Sequence, residues 1–258
     1  MATTAIKTTK TSVAKFKIKS PGNFISFLRR FSPLPEKALL LELTPDSIKA
    51  KGHTPDRAII KYSKMALADV LEGTVPGDLV KIGIYDIGKV INIFKHFGEG
   101  DEVFLDLKYD DSGEDVIGTE MKFYTSNLKI TMDCADISLI TYISGEMLKR
   151  ILTATKDGAI LEFPFKREYF SKVNSLCGMD SATDSFHIMV NAGVVRVKGK
   201  SFEYEIEKSV KGSDIDFAFY NSHFGYIEQE QSMFHVGPDR MLVKSQESDT
   251  IIVVAKVE

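Results

Sequence analysis

The sequence holds two cysteines, Cys134 and Cys177, and neither stands in a metal-ligand or redox spacing. Isolated thiols of this kind read as reduced, partly buried side chains of a cytosolic protein, so disulfide staples and thiol catalysis have no support. The five histidines, His53, His96, His187, His223 and His235, are scattered and form no HExxH or Cys/His pattern, which removes the usual zinc sites. There is no P-loop, dinucleotide fingerprint or GxSxG elbow, and Gly98-Glu99-Gly100 is too short and too acidic to cradle a phosphate. No apolar run approaches the roughly 20 residues that span a bilayer. Residues 1–11, MATTAIKTTKT, lack the apolar core of a secretory signal and read as a flexible tail. The compartment these absences leave is the cytoplasm or a nucleus. Asp106, Asp110, Asp111 and Asp115 are the one acidic group with the makings of a Mg²⁺ site, but the last three fall in a hairpin turn, where Asp is favoured for backbone reasons. No catalytic residue, metal or cofactor is expected, and the chain reads as something other than an enzyme.

What is present is a soluble composition with ample apolar content for one large or two ordinary domains, and a net charge of −3 from 33 basic and 36 acidic residues. Bulk charge of that sign attracts neither nucleic acid nor an anionic membrane, so any polyanion site must be local. The most informative stretch is residues 79–109, LVKIGIYDIGKVINIFKHFGEGDEVFLDLKY, which reads as strand, helix and strand. Asp86 caps the helix, Ile87, Val90, Ile91, Phe94 and Phe97 recur at helical spacing, and Gly98 and Gly100 end it. Its opposite face carries Lys89, Asn92, Lys95 and His96 and no acid.

The same order recurs. A strand over 12–19 leads into a helix over 21–31 with Phe24, Phe27, Leu28 and Phe31 inward and Arg29 and Arg30 outward, followed by three strands. After the second copy, residues 134–158 break the rhythm: 137–143 is predicted extended and 145–156 helical. The pattern then returns with a helix over 166–177, carrying Lys166, Arg167 and Lys172, and ends with a short helix over 220–227 that has no Lys or Arg. The prediction is an α+β fold of two topologically similar domains, each with two helices packed on antiparallel sheets. Residues 12–133 form the first domain, 134–158 a connector and 159–258 the second.

Three of the four helices each contribute +2, so the helices hold +6 and everything else holds −9. A helix on a sheet ordinarily shows a polar outer face, which explains any one of these helices. Three of the same sign on an acidic chain favour a surface that neutralises phosphates without reading sequence.

The residues that carry these features, KIGIYDIGKVINIFKHFGEGDEVFLDL at 81–107 and LEFPFKREYFSKVNSLCGMDSATDSFHIMVNAGVVRVKG at 161–199, resemble the DNA polymerase sliding clamps: the proliferating cell nuclear antigen of eukaryotes and, more closely, the clamps of tailed phages. The resemblance runs from about Ser12 to the end of the chain. It implies head-to-tail closure into a homotrimeric ring, with an acidic sheet outside and a basic helical lining. Edge strands near 118–125 and 202–208 are candidates for the contact. It further implies a processivity factor, placed around double-stranded DNA by a clamp loader, that tethers a DNA polymerase. Arg29, Arg30, Lys89, Lys95, Lys166, Arg167 and Lys172 match lining positions, and Tyr142, Ile143, Val253 and Val254 match a partner-peptide pocket. A phage-encoded clamp would work in the host cytoplasm. Two departures are the fourth helix, which lacks basic residues, and the long helical connector. The alternatives are a monomeric DNA-binding accessory factor of the same fold and a noncatalytic structural or assembly protein. A metal-dependent nuclease using Asp106 and Asp110 ranks behind both.

Overall fold

Four copies of one strand-helix-strands pattern organise the computed structural model, which describes residues 11–98, 100–208, 210 and 212–257. The first copy is β1 (Thr11–Ile18), α1 (Pro21–Arg29), β2 (Leu39–Leu43), β3 (Ser47–His53) and β4 (Ile59–Ala66), with a short extra strand β5 (Leu71–Gly73). The second is β6 (Val80–Ile84), α2 (Ile87–Ile93), β7 (Val103–Asp110), β8 (Val116–Tyr124) and β9 (Lys129–Asp133). After helix α3 (Gly145–Asp157) come β10 (Leu161–Phe165), α4 (Arg167–Cys177), β11 (Ser185–Asn191), β12 (Val194–Lys198) and β13 (Glu203–Glu207). The last copy is β14 (Ile215–Tyr220), α5 (Asn221–Phe224), β15 (Ser232–Val236), β16 (Arg240–Ser245) and β17 (Asp249–Ala255). The α+β class is as predicted. Residues 1–10 of the expected tail lie outside the described residues, and Thr11 already belongs to β1.

Local chemistry sets the helix starts. Ser20 accepts from the Asn23 N–H with Pro21 in the first turn, Asp86 accepts from the N–H groups of Gly88 and Lys89, and Ser144 accepts from that of Met147. Other boundaries depart from expectation. The second helix is α-helical only to Ile93 and finishes as a 3₁₀ turn, Phe94–His96. The fourth lining helix is a single turn of four residues. The segment predicted extended at 137–143 opens with a 3₁₀ turn, Ile137–Leu139, because the Asp136 carboxylate accepts from both the N–H and the hydroxyl of Ser138.

By its contacts the chain divides into two units, residues 1–32, 37–50 and 65–141 in one and 33–36, 51–64 and 142–258 in the other. Residues 51–64 fall with the second unit because β4 pairs antiparallel with β17, Ile60 opposite Val253.

In unit 1, β1 lies between β5 and β7, and β7 pairs with β8. The other side of β8 is taken by β6, parallel at Val80↔Val116, and by β9, antiparallel at Tyr124↔Lys129. The strand near 118–125 is therefore no free edge, which corrects that candidate; the edge beyond it is β9. Phe24 of α1 meets Phe94, just past α2, at 5.6 Å between ring centroids, and Phe94 meets Phe123 of β8 at 5.3 Å.

In unit 2, the strands run β10-β15-β16-β17-β4 in one set and β13-β12-β11-β14 in the other. β13 has a neighbour on one side only. An aromatic cluster fills the centre: Phe170 of α4 stacks on Phe224 of α5 at 5.6 Å, Phe224 on Phe186 at 5.2 Å, and Phe165 on Phe234 at 4.6 Å.

Candidate nucleic-acid interface and peptide groove

Apolar periodicity presses one face of each helix into its unit, and what remains outside is the charge. In unit 1, Arg29 in the last turn of α1, Lys89 on α2 and Lys95 in its 3₁₀ extension are exposed. Arg30 is half-buried at the C-cap of α1 and already engaged. Because Phe24 and Phe94 hold the two elements together, these cations belong to one paired-helix face. Lys37, which sequence reasoning passed over, joins them. Its backbone oxygen accepts from the Ile87 N–H at 3.0 Å and its Nζ reaches the Ser32 carbonyl at 3.2 Å, so it bridges the end of α1 and the start of α2. Its place after two prolines, outside any helix, hid it.

In unit 2, Lys166 sits at the N-cap of α4 with its ammonium 5.5 Å from the Tyr169 ring centroid, and its pKa is raised, first by the Tyr169 hydroxyl. Arg167 pairs with Glu247 in the β16–β17 turn. The Gln231 N–H and this guanidinium hold the Glu247 carboxyl below its usual value. Lys172 is exposed and makes no ion pair among the described residues. On α5, Asn221 and His223 are buried and only Ser222 faces out. Burial lowers the His223 pKa, against a smaller opposing pull from Asp56.

The pocket residues separate by strand parity. Ile143 and Val253 are buried in one apolar cluster with Ile60 and Leu148, and with Ile60, Ile151 and Met147 they line an open cavity of about 210 Å³ beside α3. Val254, next along β17, points to the opposite face and does not line it. Tyr142 is exposed and also lies outside the lining. Two residues that sequence reasoning missed, Arg57 and Arg240, stand at the rim. They are 183 positions apart, so no local pattern joins them.

The acids considered for metal are taken up by the fold. Asp106 accepts from Lys122 at 2.6 Å and from the Tyr124 hydroxyl at 3.1 Å, and Asp110 caps the Ser112 N–H. Among the described residues no group of three His, Cys, Asp or Glu is placed to hold a metal ion. Cys134 is half-buried and Cys177 buried, and desolvation pushes both thiols up to about 12. Among the described residues no helix is long and apolar enough to cross a membrane.

No protein-family model and no curated protein matches the chain. Solved structures do. The proliferating cell nuclear antigen (PCNA) of Entamoeba histolytica superposes with a TM-score of 0.67 at 12% identity, over 95% of this chain and 99% of that one. The chain has the sliding-clamp fold. Archaeal and bacterial clamps agree. A. fulgidus PCNA, solved with the C-terminal region of FEN-1 bound, gives 0.63 at 11% identity over 96% and 99% of the two chains. The Helicobacter pylori beta clamp, solved with a DNA ligase peptide, gives 0.65 at 12% over 95% of this chain and 66% of its own. In clamp terms, the two helix pairs α1/α2 and α4/α5 belong to the four repeats, whereas α3 stands outside them.

Proposed function

We propose that this chain is a DNA polymerase sliding clamp, a ring of copies that encircles duplex DNA without reading its sequence and tethers the replicative polymerase. One observation carries the reading: each unit pairs two helices through a Phe–Phe contact, and the outer faces of these clamp-fold helices bear exposed cations on a chain of net charge −3. Lys and Arg on such faces neutralise phosphates by releasing counterions, which gives affinity without register and leaves the protein able to slide. Arg29, Arg30, Lys89, Lys95, Lys166, Arg167 and Lys172 form the lining, with Lys37 added.

Copies join through free strand edges, of which β9 and β13 are available, and four lining helices per chain suit a homotrimer closed by head-to-tail contacts. A clamp loader opens this ring. The polymerase docks a short segment in the groove of Ile143 and Val253, with Tyr142 beside it and Val254 supporting β17 from behind; the peptides bound to the archaeal and bacterial clamps favour such a mode. The repeats favour domains over 12–133 and 159–258 joined by the 134–158 connector. The tailed-phage resemblance of 81–107 and 161–199 favours a phage clamp working in host cytoplasm, with no catalysis of its own.

The test is solution mass by light scattering across a dilution series, together with retention on nicked circular DNA. The expected result is about three times the 28.8 kDa chain mass and release when the circle is cut. A strict monomer at every concentration, bound alike to circles and linear DNA, overturns the ring and favours an open-faced accessory factor, which the uncharged α5 would suit.

A further inference from the structure

The groove beside α3 has a second chemistry besides its apolar floor. Ala255, on β17, stands opposite Arg240 of β16 and donates its N–H to the Ala58 carbonyl at 2.7 Å, so three adjacent strand ends bring Arg57 and Arg240 to one end of the cavity. Both arginines are exposed, and neither makes an ion pair among the described residues. No acid lines the cavity. The nearest in sequence, Asp56, is occupied by the Thr54 hydroxyl and the Ala58 N–H, while Asp239 lines a neighbouring cavity of about 280 Å³. Arg240 lines both cavities, and the second lies against Ala154 and Thr155 in the last turns of α3. Two concavities thus follow the helix, with a guanidinium between them.

We propose that this groove receives a short extended peptide that carries an acidic side chain next to its apolar anchors, the anchors entering over Ile143, Ile151 and Val253 and the carboxylate meeting Arg57 and Arg240. The proposal rests on the clamp reading and adds the chemistry by which the partner is selected. Scale and charge both favour this occupant. Thirteen helical residues span about 20 Å, the reach of about six extended residues. The Arg57 backbone has φ 58, unusual outside glycine, asparagine and aspartate, yet an arginine stands there at the groove rim. A guanidinium presents paired N–H donors that match a carboxylate, and an apolar floor beside it lowers the local dielectric.

The experiment titrates the full-length protein into two fluorescein-labelled peptides by fluorescence anisotropy: Ser-Leu-Asp-Phe-Phe-Asp with an amidated C-terminus, and the same peptide with Asn for both Asp. Expected is about fivefold tighter binding of the acidic peptide in low salt, the scale of a partly exposed charged hydrogen bond, fading in 0.5 M NaCl. Arg240→Gln and Arg57→Gly, the latter suited to the positive φ, each remove most of that preference and leave the Asn peptide unchanged. Ile151→Asp abolishes binding of both. Equal binding of the two peptides overturns the proposal, as does an equal loss for both in the arginine variants, or unchanged binding in Ile151→Asp. A third peptide, the Asn version with a free C-terminus, must bind no better than its amide; a gain there would assign the arginines to a terminal carboxylate instead and overturn the side-chain claim. Retention of the wild type on circular DNA is scored alongside. Retention without acid preference sinks this inference alone, and acid preference without retention sinks the clamp reading alone.

Discussion

The helix pairs of the two units share a contact and little else. Phe24–Phe94 and Phe170–Phe224 both lie at 5.6 Å, yet the first pair meets edge-on at 68° and the second stacks at 25°. The pair in unit 1 rests on capped, amphipathic turns whose outer face is cationic. In unit 2 the second helix has shrunk to one turn with no side-chain cap, and Phe224 is held by Phe170 and Phe186. Aromatic packing there replaces helix length. Charge has followed length: α5 is too short to present a basic stripe, and Arg167 beside it is shared with Glu247. A duplicated architecture can therefore keep its internal contact while its outer face diverges.

The comparison can be broken most severely at the rings. Phe224→Ala and Phe170→Ala should each cost about 3–5 kcal/mol, read as a large fall in Tm. Phe24→Ala should cost less, because it leaves Phe94 in contact with Phe123. Equal losses in both units would show that the larger cluster adds nothing. The outer faces come next. Lys89→Ala with Lys95→Ala should lower the salt slope of DNA binding by about 2, Arg167→Ala should lower it by less than one, and Ser222→Lys should raise it. A flat response to Ser222→Lys would place α5 away from the DNA.

Asp86→Ala removes the cap of α2 and should cost about 1 kcal/mol, measured by denaturant melts, whereas α5 has no such cap to lose. The smallest effect is a pH dependence confined to unit 2. His223 has a folded pKa below its unfolded value of about 6.5. The unfolded chain therefore binds the proton first, and stability present above that value is lost as pH falls through it towards the folded pKa. His223→Gln should flatten the drop in Tm between pH 7.5 and 5.5. An unchanged profile would dismiss His223 as its source.

Most of this architecture was legible because helices and strands announce themselves by period. Phe24, Phe27 and Leu28, or Val90, Ile91 and Phe94, place whole faces without a structure. What escaped was short or distant. β5 has three residues, too few to show alternation. The turn at Ile137–Leu139 depends on one Asp136 hydrogen-bond pattern and not on any period. The Arg167–Glu247 pair joins residues 80 apart, and the Arg57–Arg240 rim exists only once β4, β17 and β16 align. Val254 was the reverse case. Its neighbour Val253 faces the groove, and alternation along a strand already forbids both from doing so.

The two buried thiols have a practical side. With pKa values of about 12, Cys134 and Cys177 are almost wholly protonated at neutral pH, and the thiolate is the reacting species. An exposed cysteine of ordinary pKa, introduced at Ser26 or Ser222, would have roughly a thousandfold more thiolate at the same pH. Dyes and cross-linkers could then be attached to either helix face of the native sequence. The opening of a subunit contact, or the passage of DNA along the helices, could be followed in single molecules without first removing a cysteine.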